Sequence, residues 1–353
     1  MLSTLASVRT AGFIPAVIAP PNGPLADVLR DRDVELLPFA PLDAQGNRWP
    51  LGRAREELAE LLRHRRPDLL HANSLSMGRL SGPVAAEARV PAIAHLRDII
   101  KLSRQAISDL NRLARLLAVS EATRAFHAAA GLTPEKIHVL HNGVHLQRFC
   151  PRTPTGYLHR ELGIRPSAPL IGTIGQICLR KAQDVLVRAA KTVCRRLADA
   201  HWLVVGERFS RKEESRRFED ELRAAAATRP LAGRLHLLGT RDDVPRILNE
   251  LTLLAHPSRQ EPLGRVLLEA AASGVAVVAT DVGGTGEIFP SASEAARLVP
   301  PDDAGALAEA IEQLLADGAH RRRLAAAARR RAEEAFDLSP ATDGLIHHYQ
   351  ELM

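Results

Sequence analysis

Residues 258–288, SRQEPLGRVLLEAAASGVAVVATDVGGTGEI, decide how the rest of the chain is read. The stretch starts polar, passes through an apolar segment that carries Glu269, and ends among glycines. An unpaired carboxylate is costly to bury, so Glu269 either faces solvent or is met by a polar group. Upstream, LTLLAH (251–256) has the length and composition of a buried strand, and Pro257 and Ser258 break it. SRQEPLG then reads as a loop, LGRVLLEAAAS as a helix closed by Gly274, and GVAVVAT (274–280) as the next strand. At that helix start the N–H groups of Leu263, Gly264, Arg265 and Val266 lack partners within the helix, which makes the turn an anion site. Gly264 lets a phosphate come close. Glu261, just before the helix, and Glu269, one to two turns into it, can face one cavity above the strand ends. Carboxylates placed there accept hydrogen bonds from hydroxyl pairs of a ribose or hexose.

The same grammar extends in both directions. Short apolar runs lie at 13–19, 34–39, 68–72, 90–95, 115–120 and 137–142, and again at 169–175, 201–207, 234–239, 251–256, 274–280 and 296–300. Most are separated by helix-length stretches, the pattern of buried parallel strands with crossover helices. Between the two series, CPRTPTGYLHRELGIRPSAP (150–169) is rich in proline and polar residues and reads as a linker. The expectation is α/β: two doubly wound Rossmann-like domains, 1–150 and 151–335, facing across a cleft, with a last helix in 336–353 crossing back to the first. LSTLASVRTAG (2–12) reads as a helix with no strand before it, so the first domain is expected to lack its opening strand and to have a split sheet.

Composition narrows the partners. The 353 residues carry a formal charge of +6, too dilute for a nucleic-acid surface but suited to anionic small molecules or an acidic membrane face. Aromatic residues make up 3%, which argues against stacking on single strands. The three cysteines, Cys150, Cys178 and Cys194, have no C-x-x-C spacing, so neither zinc nor a disulfide framework is expected. No apolar run approaches the roughly 20 residues of a membrane span, and Arg9 interrupts the one candidate for a signal peptide. The expected location is the cytoplasm, with peripheral contact at the inner face of the membrane. RDIIKLSRQAISDLNRLARL (97–116), its positive charge diluted by Asp98 and Asp109, reads as an ordinary surface helix; a basic amphipathic helix lying on that membrane face is the alternative.

Two glutamates eight apart are weak evidence alone, since a chain this long should hold about one such pair by chance. Glu213 and Glu221, in RKEESRRFEDELRAAA, form such a pair within a mixed-charge solvated helix. Context separates the two. EPLGRVLLEAAASGVAVVATDVGG (261–284) resembles the E-x7-E signature of the retaining glycosyltransferases of family 4, which have the GT-B fold. LLAVSEATRAFHAAAGLTPEKIHVLHNGVHLQRFCP (116–151) is similar to that family's end of the first domain, and GTIGQICLRKAQDVLVRAA (172–190) to the opening of its donor domain. LLGTRDDVPRILNELTLLAHPS (237–258) is similar to its nucleotide-side loop and the strand before the signature.

The resemblance implies roles. Glu261 would bond hydroxyls of the transferred sugar, and Glu269 the ribose hydroxyls of the nucleotide. Lys181, with Arg180 beside it, would neutralise the departing diphosphate, helped by Leu263, Gly264 and Arg265 at the helix start. His95 would face the reacting sugar. The donor would be UDP- or GDP-linked, the acceptor a glycan or lipid-linked molecule, with no cofactor and no metal. Gln176 stands where the family usually has arginine, and His145 where it usually has aspartate; the first strand and glycine-rich loop are missing. No G-x-G-x-x-G follows a strand and no Walker motif occurs, which excludes the usual dehydrogenase and P-loop readings. A nucleotide-sugar 2-epimerase and a catalytically impaired sugar-nucleotide binder remain alternatives.

Overall fold

The structure, a computed structural model, describes residues 2–43 and 45–353. It divides into two compact units, residues 1–140 with 339–353, and residues 141–338. Every apolar run marked in the sequence contains a strand, and every strand pairing is parallel.

The first unit runs α1 (Leu5–Thr10), β1 (Ala16–Ala19), α2 (Pro24–Asp31), β2 (Glu35–Pro38), α3 (Leu51–Arg65), β3 (Leu70–Ala72), α4 (Leu75–Ala88), β4 (Ala92–Leu96), α5 (Arg104–Asn111), β5 (Arg115–Ala118), α6 (Glu121–Ala129) and β6 (Ile137–Val139). Its strands form two ladders, β1-β2 and β3-β4-β5-β6. Helix α4 packs its small residues against β4 and α5: a Cβ on Gly78 would lie 2.8 Å from Cβ of Ala94 on β4, and one on Gly82 only 2.2 Å from the carbonyl oxygen of Asp109 on α5. The stretch 97–116 is not one amphipathic helix. Only Arg104–Asn111 is helical, and Arg115 already begins β5. Asp109, one of the two acidic residues in that stretch, is buried and paired with Arg55 at 2.8 Å, so the local charge pattern serves internal packing.

The second unit runs α7 (Tyr157–Leu162), β7 (Leu170–Ile174), α8 (Gln183–Arg196), β8 (His201–Val205), α9 (Glu213–Ala227), β9 (Leu235–Gly239), α10 (Val244–Glu250), β10 (Leu253–His256), α11 (Arg265–Ala272), β11 (Val277–Thr280), α12 (Thr285–Ile288), β12 (Arg297–Val299), α13 (Ala304–Ala316) and α14 (Gly318–Ala335). The last helix, α15 (Leu338–Gln350), groups with the first unit from Ser339 onward. There Leu345, Ile346 and Tyr349 pack with Val8, Ile93 and Leu117.

The six strands of the second unit lie in the order β12-β11-β10-β7-β8-β9. The order reverses between β7 and β10, so the loops leaving those two strands open a crevice at their carboxyl ends, the usual ligand position in such sheets. Beside it, β7 and β8 are each followed by a glycine, Gly175 and Gly206, for a steric reason. A Cβ on Gly206 would lie 2.1 Å from the Gly175 carbonyl oxygen, and Gly206 has φ +133°. No side chain fits that approach.

The stretch 150–169 is bound to the second unit rather than hanging as a linker. Glu250 accepts hydrogen bonds from Thr155 N and Oγ1 and from Gly156 N, at 2.6, 2.7 and 2.9 Å, and Asn249 accepts one from Arg152 N at 2.6 Å. The unit boundary therefore falls at 140/141, ten residues earlier than the composition suggests. Polar, proline-rich composition marks irregular backbone, not absence of contacts.

Candidate donor and catalytic site

Strand β10 ends at His256, and the loop to α11 brings Glu261 back beneath it. Glu261 is 5% exposed. Its Oε2 receives Lys181 Nζ at 2.5 Å and lies 2.6 Å from His256 Nε2 and 3.5 Å from Ser258 Oγ. Burial pushes the Glu261 carboxyl up, but hydrogen bonds and charge from His256 and Lys181 outweigh it and hold it down to about 2. Burial and the Lys181 ammonium push His256 below its ordinary value, against the Glu261 carboxylate, which raises it. The carboxylate has no proton to give, which makes His256 Nε2–H the donor. The loop backbone is fixed from outside, as Gly284 N–H donates to the Glu261 carbonyl at 2.9 Å. A Cβ on Gly284 would lie 2.4 Å from the Pro262 carbonyl oxygen, which explains the second glycine of DVGG.

Lys181 comes from the loop after β7, whose first residue, Gly175, lies against the lysine stem: a Cβ there would meet Lys181 Cε at 3.7 Å. Beside it Arg180 gives one hydrogen bond, to the Gln260 carbonyl at 3.3 Å, and has no carboxylate partner among the described residues. Arg259 is committed elsewhere, bridging Asp184 at 2.7 Å and Asp302 at 2.7 Å. Arg241, in the GTRDD turn, is likewise held by Asp243 and Glu161 at 2.9 and 2.7 Å. Gln176 faces no ionic partner; its carbonyl accepts from Gln183 Nε2 at 3.0 Å.

Helix α11 begins after Gly264, which has φ +104° and no side-chain cap. A Cβ there would lie 2.7 Å from Leu267 Cδ1 and 3.2 Å from Glu261 Cγ, so the glycine gives both the turn and the approach of Glu261. Leu263 is buried and contributes its backbone only, while Arg265 extends into solvent. Glu269, the residue that opened the question, is neither solvated nor well paired. Its side chain is 15% exposed and its one ion partner among the described residues, Arg265, lies at 3.5 Å and is 79% exposed. Burial pushes its carboxyl up, against the charges of Arg265 and Arg148. The other glutamate pair behaves as a solvated face: Glu221 pairs with Arg217 at the surface.

His95 lies in the first unit, on β4, and is 5% exposed. Its Nδ1 is 2.8 Å from His71 Nε2 and 3.4 Å from Arg97, while His71 Nδ1 is 2.5 Å from the Tyr349 hydroxyl. Arginine only donates, so His95 Nδ1 is the acceptor; the chain runs Tyr349 O–H to His71, then His71 Nε2–H to His95. His95 then carries its own proton on Nε2, which has no partner among the described residues. Burial pushes both imidazoles down, His71 to about 3, helped by the Arg97 charge. Both histidines are neutral in the folded state, whereas the unfolded chain takes up their protons below about pH 6.5. The first unit should therefore lose stability as pH falls below about 6.5, by up to about 1.4 kcal/mol per pH unit from His71 until about pH 3, with His95 acting in the same direction. Amide exchange of residues 92–96, followed from pH 7 to pH 4.5, should show that loss, and His71→Gln should flatten it.

Sequence reasoning missed His256 and Ser258. Neither has a periodic or spacing signal; both are found only because the loop folds Glu261 back on them.

A parallel α/β unit with an uncapped helix start, a lysine and two buried carboxylates at its switch point offers an anion and hydroxyl-group site. The family model of Glycosyltransferase Family 4 matches residues 4–148, and that of Glycosyl transferases group 1 matches residues 168–317. The chain belongs to these GT-B glycosyltransferases, with two Rossmann-like α/β domains. It is 31% identical over 250 residues to an alpha-maltose-1-phosphate synthase of Mycobacterium tuberculosis, a match covering 67% of this chain and 63% of that one. A GDP-mannose-dependent phosphatidylinositol monomannoside mannosyltransferase of Corynebacterium glutamicum is 29% identical over 318 residues, 83% of this chain and 80% of the relative. In fold the chain is similar to Anabaena HepE, solved in complex with UDP-glucose, with TM-score 0.84 to 0.85 across its structures, 22% identity, and coverage of 99% and 96%. No helix among the described residues is long and apolar enough to cross a membrane.

Proposed function

We propose that this protein is a retaining glycosyltransferase that moves a sugar from a nucleotide-diphospho-sugar to a glycan or lipid-linked acceptor. The observation that carries the proposal is the set of groups at the β7/β10 switch point: Lys181 held on a buried, ionised Glu261, beside an uncapped helix start and a half-satisfied Glu269. Each group lacks what a sugar nucleotide has. The diphosphate supplies anion to Lys181, Arg180 and the N–H groups of Leu263, Gly264 and Arg265. The ribose supplies hydroxyls to Glu269, whose buried carboxylate has one weak partner among the described residues. The sugar supplies hydroxyls to Glu261. As the glycosidic bond breaks, negative charge grows on the leaving diphosphate, and Lys181 with the helix start is placed to stabilise it, so the reaction needs no metal. His95, with its free Nε2–H, would donate to an oxygen of the reacting sugar.

Relatives point to both bases: HepE was solved with UDP-glucose and the Corynebacterium enzyme is GDP-mannose-dependent. Residues at the cytoplasmic face of a membrane would meet a lipid-linked acceptor. The test is calorimetric titration with UDP-glucose and GDP-mannose, then proton spectra of the sugar released or transferred, with and without EDTA. Binding of one donor and an unchanged anomeric configuration are expected, with activity surviving EDTA. Binding of neither donor overturns the reading, an inverted product the retention, and manganese-restored activity the metal-free step.

A further inference from the structure

We infer that His256 is a positioning residue: with Ser258 it holds one oxygen of Glu261 so that only the other is offered to the ligand. The inference rests on the sugar-nucleotide reading above and extends it to a residue that reading does not use. Three donors converge on Glu261 Oε2: Lys181 Nζ at 2.5 Å, His256 Nε2 at 2.6 Å and Ser258 Oγ at 3.5 Å. Oε1 receives none of them, and it is not among the sealed-off side-chain atoms that lack partners. The carboxylate is therefore asymmetric, with one oxygen saturated and one open acceptor.

The three donors are not equivalent once a diphosphate is present. Lys181 sits on a loop, and a phosphate competes for its ammonium. His256 cannot be drawn away. It is the last residue of β10, 2% exposed, and its strand is paired with β11 at Ala279. Thr280 Oγ1, on β11, donates to the Ser258 carbonyl at 2.5 Å and fixes the turn that carries Ser258. Ser258 Oγ is 3.0 Å from His256 Nε2, so the hydroxyl steadies the imidazole and passes its own hydrogen toward Glu261. With Lys181 engaged by phosphate, His256 and Ser258 are what keep Oε2 turned inward and Oε1 outward, toward a sugar hydroxyl. Their contribution belongs to the bound state and to the sugar half of the ligand.

That separates it from a merely structural role. The full chain and its His256→Leu and His256→Gln variants are titrated calorimetrically with UDP, UDP-glucose, GDP and GDP-mannose. For the base that binds, His256→Leu should lose about tenfold in affinity for the sugar nucleotide, the worth of one hydrogen bond to a charged group, and keep nucleoside-diphosphate affinity within about twofold. His256→Gln, which retains a neutral N–H donor of similar reach, should restore most of the difference. Should His256→Leu not fold, His256→Asn, too short to reach Oε2, gives the same comparison. Equal weakening of both ligands, or no change in either, overturns the positioning role while leaving the donor reading intact. If the unaltered chain binds none of the four nucleotides, the donor reading itself falls, and this inference with it.

Discussion

Lys181→Ala should lower donor turnover, measured as hydrolysis or transfer of the sugar, by about 10²- to 10³-fold, the usual cost of removing one group aimed at charge that develops in the transition state. The physical reason is location. Lys181 lies beside the switch point, against Gly175 and bonded to Glu261 at 2.5 Å. Arg259 cannot replace it, because Asp184 and Asp302 already hold its guanidinium. Arg180 has no carboxylate partner among the described residues and can recover part of the effect. Removing one member of a buried ion pair normally costs stability as well. Here His256 and Ser258 still donate to the Glu261 oxygen, so the variant should remain folded, with a lowered melting temperature. Full turnover in a folded Lys181→Ala protein would show that the diphosphate lies elsewhere.

Glu269→Ala should abolish most sugar-nucleotide binding, by about 10- to 100-fold, the loss of a carboxylate–hydroxyl interaction of about 1.5–3 kcal/mol. Its effect on folding should run the other way. Glu269 is 15% exposed, its only ion partner among the described residues is loose, and burial raises its carboxyl, so the folded chain carries an ill-compensated charge that alanine removes. Unchanged or increased stability together with lost binding is the signature of a residue kept for a ligand. Glu221→Ala is the control. Its carboxylate pairs with Arg217 in solvent, both more than half exposed, and neither binding nor stability should move. If both variants bind the donor as the unaltered chain does, Glu269 is no part of the site.

Much of the fold was legible because buried parallel strands must be apolar along their whole length. Twelve short runs stood out for that reason, and each holds a strand. The glycines were legible in kind but not in purpose: that Gly206 faces the Gly175 carbonyl, and Gly284 the Pro262 carbonyl, follows from contacts between segments far apart in sequence. The reading of 97–116 as a single helix failed because amphipathic spacing does not report that a strand must begin at Arg115 to join β4. The linker failed for a related reason, since two residues of α10, Asn249 and Glu250, bind it.

By itself, then, the sequence determined the α/β architecture, through the alternation of apolar runs and helices, and the position of the helix start at Gly264, through the break at Pro257 and the glycine. It also marked Glu261, Glu269 and Lys181 as residues whose chemistry needs explaining. Only the tertiary structure decided how those charges are held. A carboxylate's ionisation and direction depend on which donors reach it, and the donors that reach Glu261 come from three places: the loop after β7, the end of β10 and the turn that β11 fixes. Sequence separation carries no record of that convergence. Packing brings the three together, and burial then makes each hydrogen bond strong enough to set which oxygen is open.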